Sequence, residues 1–504
     1  MRSLRLQNFR SFVDTGTIEL RPLTVLVGAN SAGKSSFLRL FPLLKQTVEA
    51  PSSGPLLWYG GTGRYVDFGD FGSVVRRGST ERNIDLTFEL PSRMNLDNVP
   101  IPVSIQVTLC EREGKTGVSH LILRMEGDTC ELRVDEGGQL KTCLLNNTKL
   151  ESMVSLIDTE QEPLALVQWS PGSLLPRLSS RSNLISIIEK ALLKDIGEMV
   201  HGRSTTKTMT ELVAKVTYFS QRELFHQSLL SLEGGSYWKR TIRGSSPQTP
   251  LLERMRLLSF LRKVAQLLDD AGLCLSEFAR MVSYIGPFRK DPVRFDRKQE
   301  LSVQQIDQRG DNLAMFMLSL SANDQEDFDR WAIQHFGFGI KVDSTPSHVS
   351  VLIHHGREAF NLIDMGYGIS QVLPVIAQCW LATKQRSVGR RPSFFSIPAL
   401  TAIEQPELHL HPRFQARLAD LFAGVIRASK DVSVVAPSTQ LVIETHSESM
   451  ISRLGELVSL GKLDRKDCSV LLFQKESTGN TTVRTAEFNE DGMLSDWPVG
   501  FLSA

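Results

Sequence analysis

Apolar positions along the chain fall into three regimes. Near the N-terminus, residues 4–9 alternate, residues 17–20 give a second short strand, and residues 23–27 form an unbroken apolar run closed by Gly28. A run that short, ended by glycine, fits a strand buried on both faces. Residues 36–45 then fit a helix. Between residues 82 and 141 the stretches 85–90, 103–109 and 120–125 alternate and are broken by Glu-Gly, Glu-Gly-Asp and Glu-Gly-Gly turns, which predicts an antiparallel meander. From 150 to 280 the spacing becomes helical, most clearly over 184–200 and 251–268. The Gly, Ser and Pro-rich stretch 234–250 predicts an exposed loop. Beyond Tyr284, strands and helices alternate again, with 400–404 and 440–445 as further buried strands. No repeat and no sustained heptad is present. The pattern predicts an α/β unit in two segments, residues 1–149 and 281–504, with a mainly helical insertion at 150–280.

Composition narrows the class. The 504 residues are 41% hydrophobic and 22% charged, a globular balance that excludes wholesale disorder. Lys plus Arg number 57 and Asp plus Glu 56, so any nucleic-acid contact needs a local patch. The longest apolar runs fall well short of the roughly 20 residues of a membrane span, and the first residues show no signal-peptide core. Six cysteines (Cys110, Cys130, Cys143, Cys274, Cys379, Cys468) are scattered without a CxxC pair. That fits a reducing cytoplasm and argues against a disulfide scaffold or a zinc ribbon.

The strongest motif is Gly28-Ala29-Asn30-Ser31-Ala32-Gly33-Lys34-Ser35, which satisfies GxxxxGK[ST] at every fixed position between a predicted strand and a predicted helix. Glycines let backbone N–H groups wrap phosphate oxygens. Lys34 would reach the β and γ phosphates, and the Ser35 hydroxyl would ligate magnesium. A phosphate loop also needs a metal-holding carboxylate on a neighbouring strand. Leu400-Thr401-Ala402-Ile403-Glu404 offers one at its end, followed by Gln405-Pro406-Glu407-Leu408-His409-Leu410-His411-Pro412. Further on stand Glu444-Thr445-His446-Ser447 and, earlier, Asp364-Met365-Gly366-Tyr367-Gly368-Ile369-Ser370-Gln371.

In this order of motifs, and in the opening Leu6 to Phe12, the chain resembles the ABC-type ATPases of the SMC, RecF and OLD group. Tyr284-Ile285-Gly286-Pro287-Phe288-Arg289 resembles a segment of bacterial predicted ATPases that include Septu-type and retron-associated anti-phage ATPases. The resemblance covers residues 1–53 and 284–476. It implies an ABC-type P-loop ATPase head, with a mixed sheet flanked by helices and an antiparallel β subdomain, carrying the helical insertion. It also implies ATP and Mg2+ as cofactors. Asn30, Ser31, Ala32, Gly33, Lys34, Ser35 and Ser36 would hold the nucleotide. Arg10, just after the first strand, stands where similar proteins often place a basic contact. Ser35 and Glu404 would hold the metal, Gln405 falls where the hydrolytic glutamate usually stands, and His446 would sense the γ phosphate. Gly366, Gly368, Ser370 and Gln371 form the signature that meets the nucleotide of a second protomer, implying a head-to-tail ATP-sandwich homodimer, with higher oligomers open.

Two departures bear on chemistry. Glu404 is one methylene longer than the usual aspartate, which shifts magnesium geometry. Gln405 is a neutral amide and cannot take a proton from water, although it can orient one; Glu407 is the nearby carboxylate that could substitute. Slow hydrolysis is the expectation.

Other features have plainer readings beside functional ones. His409 and His411 read as caps of the loop after Glu404 rather than metal ligands. His354-His355 before Gly356 marks a hairpin turn. Asp327 and Asp329, which superficially offer the paired acids of a nuclease, sit in a stretch that reads as a polar helix. Arg289, Lys290, Arg294, Arg297 and Lys298, interrupted by Asp291, Asp296 and Glu300, read as a solvated loop with local ion pairs, or as a phosphate contact. Residues 65–69 read as a coupling loop or a strand-ending turn. The expected function is an ABC-type ATPase gating a nucleic-acid-directed effector, such as a separate nuclease or toxin of an anti-phage complex, in the cytoplasm and without a membrane. The alternatives are a nucleotide-locked, non-hydrolysing scaffold and a RecF-like DNA repair ATPase.

Overall fold

The computed structural model describes residues 1–50, 54–60, 65–96, 99–154, 165, 167–169, 172–178, 183–299, 303–384, 397–430 and 439–495; Glu300 lies outside them. The chain divides into two compact units. One comprises Met1–Glu49, Leu57–Ser79 and Glu277–Ala504; the other comprises Ala50–Leu56 and Thr80–Ser276. The boundary read from sequence at 149/150 falls inside the second unit.

The first unit is built on five parallel strands lying side by side: Val282–Ile285, Ala399–Glu404, Thr439–Glu444, Leu23–Gly28 and Cys468–Lys475. Thr481–Ala486 adds to the last of these antiparallel, and Phe12–Asp14, Ser3–Phe9 and Ile18–Glu19 extend the sheet. Every residue of Leu23–Gly28, Ala399–Glu404 and Thr439–Glu444 is buried, which explains their unbroken apolar sequences. Parallel neighbours need crossovers. The helix Pro412–Lys430 makes the one between Ala399–Glu404 and Thr439–Glu444, and its Leu418, Leu421 and Phe422 enter the same core as Val25, Ile403 and Ile443. The result is a mixed α/β fold with a central sheet flanked by helices.

Two local outcomes refine the expectations. The helix expected over 36–45 is interrupted at Arg39, giving Lys34–Leu38 and Leu40–Glu49. Pro42 has no amide hydrogen to give the carbonyl four residues back, so the first segment cannot run through. A smaller sheet joins Asp296–Arg297, Gly339–Ser344, His348–His355 and Glu358–Asn361, and Gly356 with φ +62° closes the turn after His354-His355.

The second unit carries the meander. Asn83–Leu96, Val99–Arg112, Lys115–Met125, Asp128–Val134, Leu140–Leu145 and Thr148–Lys149 pair antiparallel in sequence order. Helices Asn183–Met199, Thr206–Lys215, Arg222–Ser231 and Gly235–Gly244 follow, and then the long helix Pro250–Arg280, whose last residues enter the first unit. The stretch 234–250, expected as a loop, is mostly the helix Gly235–Gly244, because Trp238 and Ile242, four residues apart, are both fully buried. Within this unit Asp128 and Arg256 form a buried pair, with Tyr218 Oη donating to Asp128 Oδ2 at 2.6 Å and Asn146 Nδ2 to Oδ1 at 2.9 Å. Among the described residues no helix is long and apolar enough to cross a membrane.

Candidate nucleotide site

Because the five central strands run the same way, their C-terminal ends converge on one edge, where open α/β sheets bind ligands. Gly28, Glu404 and Glu444 end three adjacent strands there, and Glu404 stands directly beside Glu444 in register. The loop leaving Gly28 needs its glycines. A Cβ on Gly28 would lie 2.4 Å from the Phe473 carbonyl oxygen, and one on Gly33, at φ +90°, would lie 2.8 Å from Ser11 Oγ and 2.9 Å from the Phe12 ring.

Above this edge lies an open cavity of about 880 Å³. Asn30, Ser31, Ala32, Gly33, Lys34, Ser35 and Ser36 line it together with Arg10, Gln405, Glu444 and His446. The sequence-predicted phosphate loop, Arg10, Gln405 and His446 are therefore brought to one place. Arg76, Arg77 and Lys475 join Arg10 and Lys34 on the walls, so among the described residues five basic side chains face one carboxylate, Glu444. That imbalance suits a polyanion. Burial, then the neighbouring Arg77 and Arg39, lower the pKa of Arg10. Its Nη2 donates to the Phe68 carbonyl at 3.1 Å and its guanidinium stacks over the Phe68 ring. The Lys34 ammonium is buried and donates to the carbonyls of Gly28 and Ala29, 2.8 Å each.

The carboxylates are arranged differently from the sequence expectation. Glu404, expected beside the metal, is 2% exposed and both its oxygens are taken. Arg39 donates from Nε to Oε1 at 2.7 Å and from Nη2 to Oε2 at 2.8 Å, and Tyr284 Oη donates to Oε1 at 2.7 Å. The carboxylate within reach of Ser35 is Glu444, whose Oε1 accepts from Ser35 Oγ at 2.9 Å. Burial, reinforced by the charge of Glu404, raises its pKa to about 7. Glu407, the expected substitute base, is absent from the cavity wall. Its Oε1 accepts the His446 amide at 2.6 Å, and burial raises its pKa. It holds the backbone of the Thr-His-Ser turn rather than facing the cavity. His446 has a lowered pKa through burial and the nearby Lys34 charge, so near neutrality its imidazole is neutral.

Gln405 is held on a strained backbone at φ +43°. Its amide donates to the Glu444 carbonyl at 2.8 Å, and Arg289 Nη2 donates to the Glu404 carbonyl at 2.7 Å. Arg289 is 4% exposed, and burial drops its pKa to about 10. This corrects the reading of Arg289 as part of a solvated basic stretch: it is an internal prop for the Glu404-Gln405 backbone. Lys290 pairs with Asp296, and Arg294 with Asp364 at 2.8 Å.

The signature lies elsewhere on the same unit. Gly366 and Tyr367 are exposed at the start of the helix Tyr367–Lys384, while the Ser370 and Gln371 side chains are buried. Gln371 Nε2 donates to the Lys290 carbonyl at 3.1 Å. A Cβ on Gly368 would lie 2.5 Å from the His409 carbonyl oxygen, so glycine lets this helix start press on the loop after Glu407. None of Gly368, Ser370 and Gln371 lines the phosphate-loop cavity of its own chain. The His409 ring meets Tyr367 edge-on, and His411 Nδ1 accepts the Arg413 amide. Asp327 and Asp329 sit on the helix Ala322–Phe336, with Asp327 accepting from Trp380 Nε1 and Asp329 bonded to His354 Nε2. Glu444, Arg39 and Tyr284 are the site residues that the motif reading missed; an acid ending an apolar strand was the only sequence signal, and it pointed equally to Glu404 and Glu444.

Residues 1–135 match a family model described as "AAA ATPase domain", and residues 259–452 match one described as "AAA domain, putative AbiEii toxin, Type IV TA system". No curated protein matches the chain. Among solved structures, the SMC head domain from Thermotoga maritima aligns at 13% identity over 96% of this chain and 98% of that one, with a TM-score of 0.32. The recombination mediator protein RecF, in a structure titled as RecF-ATPrS in the RecFOR pathway, aligns at 10% identity over 96% and 97%, with a TM-score of 0.30. The first matched segment holds the phosphate loop and the second holds Glu404, Gln405, Glu444 and His446, so the two segments that are similar to AAA-type ATPase domain models meet at one phosphate-loop site.

Proposed function

We propose that the chain binds ATP with Mg2+ in the phosphate-loop cavity, hydrolyses it slowly, and pairs head to tail with a second copy around the nucleotide to gate a separate effector. The observation that carries the ATP reading is the cavity itself, a phosphate loop at the end of a buried parallel strand with five basic side chains on its walls. Lys34 is placed to exchange its two carbonyl contacts for phosphate oxygens, and the neutral imidazole of His446 faces the same space. Magnesium, when bound with the nucleotide, neutralises phosphate charge. Slow turnover follows from Gln405, which lines the cavity and can orient water but cannot accept its proton.

The pairing reading is supported by the surface around the signature. Phe288, Phe295, Phe360, Ile363 and Tyr367 are all exposed, Phe288 by 82%. Tyr367 Oη bonds to Asp291 at 2.8 Å, and Asn361 Nδ2 to the Arg294 carbonyl, also at 2.8 Å, so the 288–295 and 360–367 segments lie together. Exposed apolar groups gathered in this way are characteristic of an interaction surface. A nuclease or toxin as effector, in an anti-phage setting, accords with the toxin-system wording of the matched family. The neutral Gln405 favours one second reading, a nucleotide-locked scaffold without turnover. ATP turnover by wild type beside Lys34→Ala, with solution mass recorded in the same ATP, tests both. Lys34-dependent turnover with ATP-strengthened dimers is expected; binding and pairing without turnover would establish the scaffold instead.

A further inference from the structure

Two carboxylates end adjacent strands at the site, and their surroundings divide the work between them. Glu404 already accepts three hydrogen bonds from Arg39 and Tyr284, so its charge is neutralised by a guanidinium and both oxygens are occupied. Glu444 is 3% exposed, lines the cavity, and among the described residues has a single side-chain donor, the Ser35 hydroxyl. Among the described residues its Oε2 is buried without a hydrogen-bond partner. A buried anionic oxygen with nothing bound to it costs free energy, and a cation relieves that cost. The donors fit a small hard cation: magnesium takes oxygen ligands and is held by one or two protein groups, with phosphate oxygens and waters completing the shell.

Resting on the nucleotide-site reading above, we propose that Glu444, together with the Ser35 hydroxyl, holds the magnesium of the bound nucleotide, and that Glu404 does not. The motif order assigns the metal to the strand end before Gln405. The side chains place it one strand over, at the residue before Thr445-His446. Glu404 instead ties the strand end to Arg39 and Tyr284.

The test is equilibrium binding of a fluorescent ATP analogue, in EDTA and then in Mg2+, for wild type, Lys34→Ala, Glu444→Gln, Glu444→Asp and Glu404→Gln. The expected result is that wild type binds more tightly in Mg2+. Glu444→Gln keeps its EDTA affinity but loses the magnesium gain, a fall of about tenfold or more. Glu404→Gln keeps the gain. Glu444→Asp retains part of it, and this charge-preserving variant serves if Glu444→Gln does not fold, with a fully retained gain overturning the assignment. Mn2+ in place of Mg2+, read by electron paramagnetic resonance, should give a bound signal with ATP in wild type and Glu404→Gln and none in Glu444→Gln. A magnesium gain retained in Glu444→Gln but lost in Glu404→Gln would overturn the proposal and restore the motif assignment. Wild type that binds no analogue in a Lys34-dependent way, with or without metal, would overturn the nucleotide reading as well.

Discussion

Tyr284 gives one hydrogen bond to a carboxylate that is almost wholly buried, and burial holds its phenol protonated. Tyr284→Phe removes that donor and leaves the rest of the clamp, so it should cost about 1.5–3 kcal/mol, the range for a hydrogen bond to a charged group. Urea unfolding would read the loss, and analogue binding in EDTA should stay within about twofold if the cavity itself is intact. The same residue shows where the sequence was silent. Lys34 and Ser35 were legible because their spacing is fixed along the chain. Gln405 and His446 were named through the family resemblance, which the apolar run before each one helped to align. Tyr284, Arg39 and Glu444 act on partners 120, 365 and 409 residues distant, and no linear spacing encodes contacts set by strand register.

Elements were legible wherever one period dominated. The runs at 23–27, 400–404 and 440–445 appear as strands within a residue or two of their expected limits, because burial on both faces forces continuous apolar sequence. The helix Gly235–Gly244 was hidden by its composition. The glycine, serine and proline of residues 234–250 read as loop, and the two buried positions that make it a helix, Trp238 and Ile242, span a single turn. The Glu-Gly-Asp turn was read correctly as a turn, but Asp128 within it does more. It is the buried anion against Arg256 of the long helix, so it joins the meander to the helical part of its unit. Asp128→Ala leaves Arg256 with Glu253 and two backbone carbonyls but without its buried partner. We expect a loss of about 3–5 kcal/mol in chemical denaturation, the usual result of breaking one side of a buried pair. A loss under about 1 kcal/mol would mean that water or Glu253 replaces the pair.

At the scale of the molecule, the sequence pattern gave a two-segment α/β unit with an interruption, and the central sheet is built from both segments. Its phosphate-loop strand, Leu23–Gly28, has as neighbours Thr439–Glu444 on one side and Cys468–Lys475 on the other. Chains ending before residue 439 lack both. In such truncations the strand should be cut readily by protease, and Lys34-dependent analogue binding should vanish, whereas chains ending after Ala486 should retain both properties. Protection of the strand in the shorter chains would show that it folds with other partners.

This arrangement also has a consequence in time. At about 5–20 residues per second, the phosphate-loop strand leaves the ribosome ~20–80 s before either flanking strand exists. For that interval Leu23, Val25 and Val27 are an apolar β-forming stretch with no native place to pair. The cell must shield them until the far end of the message has been read, so the pace of translation and the supply of chaperone bear on how much of this protein matures.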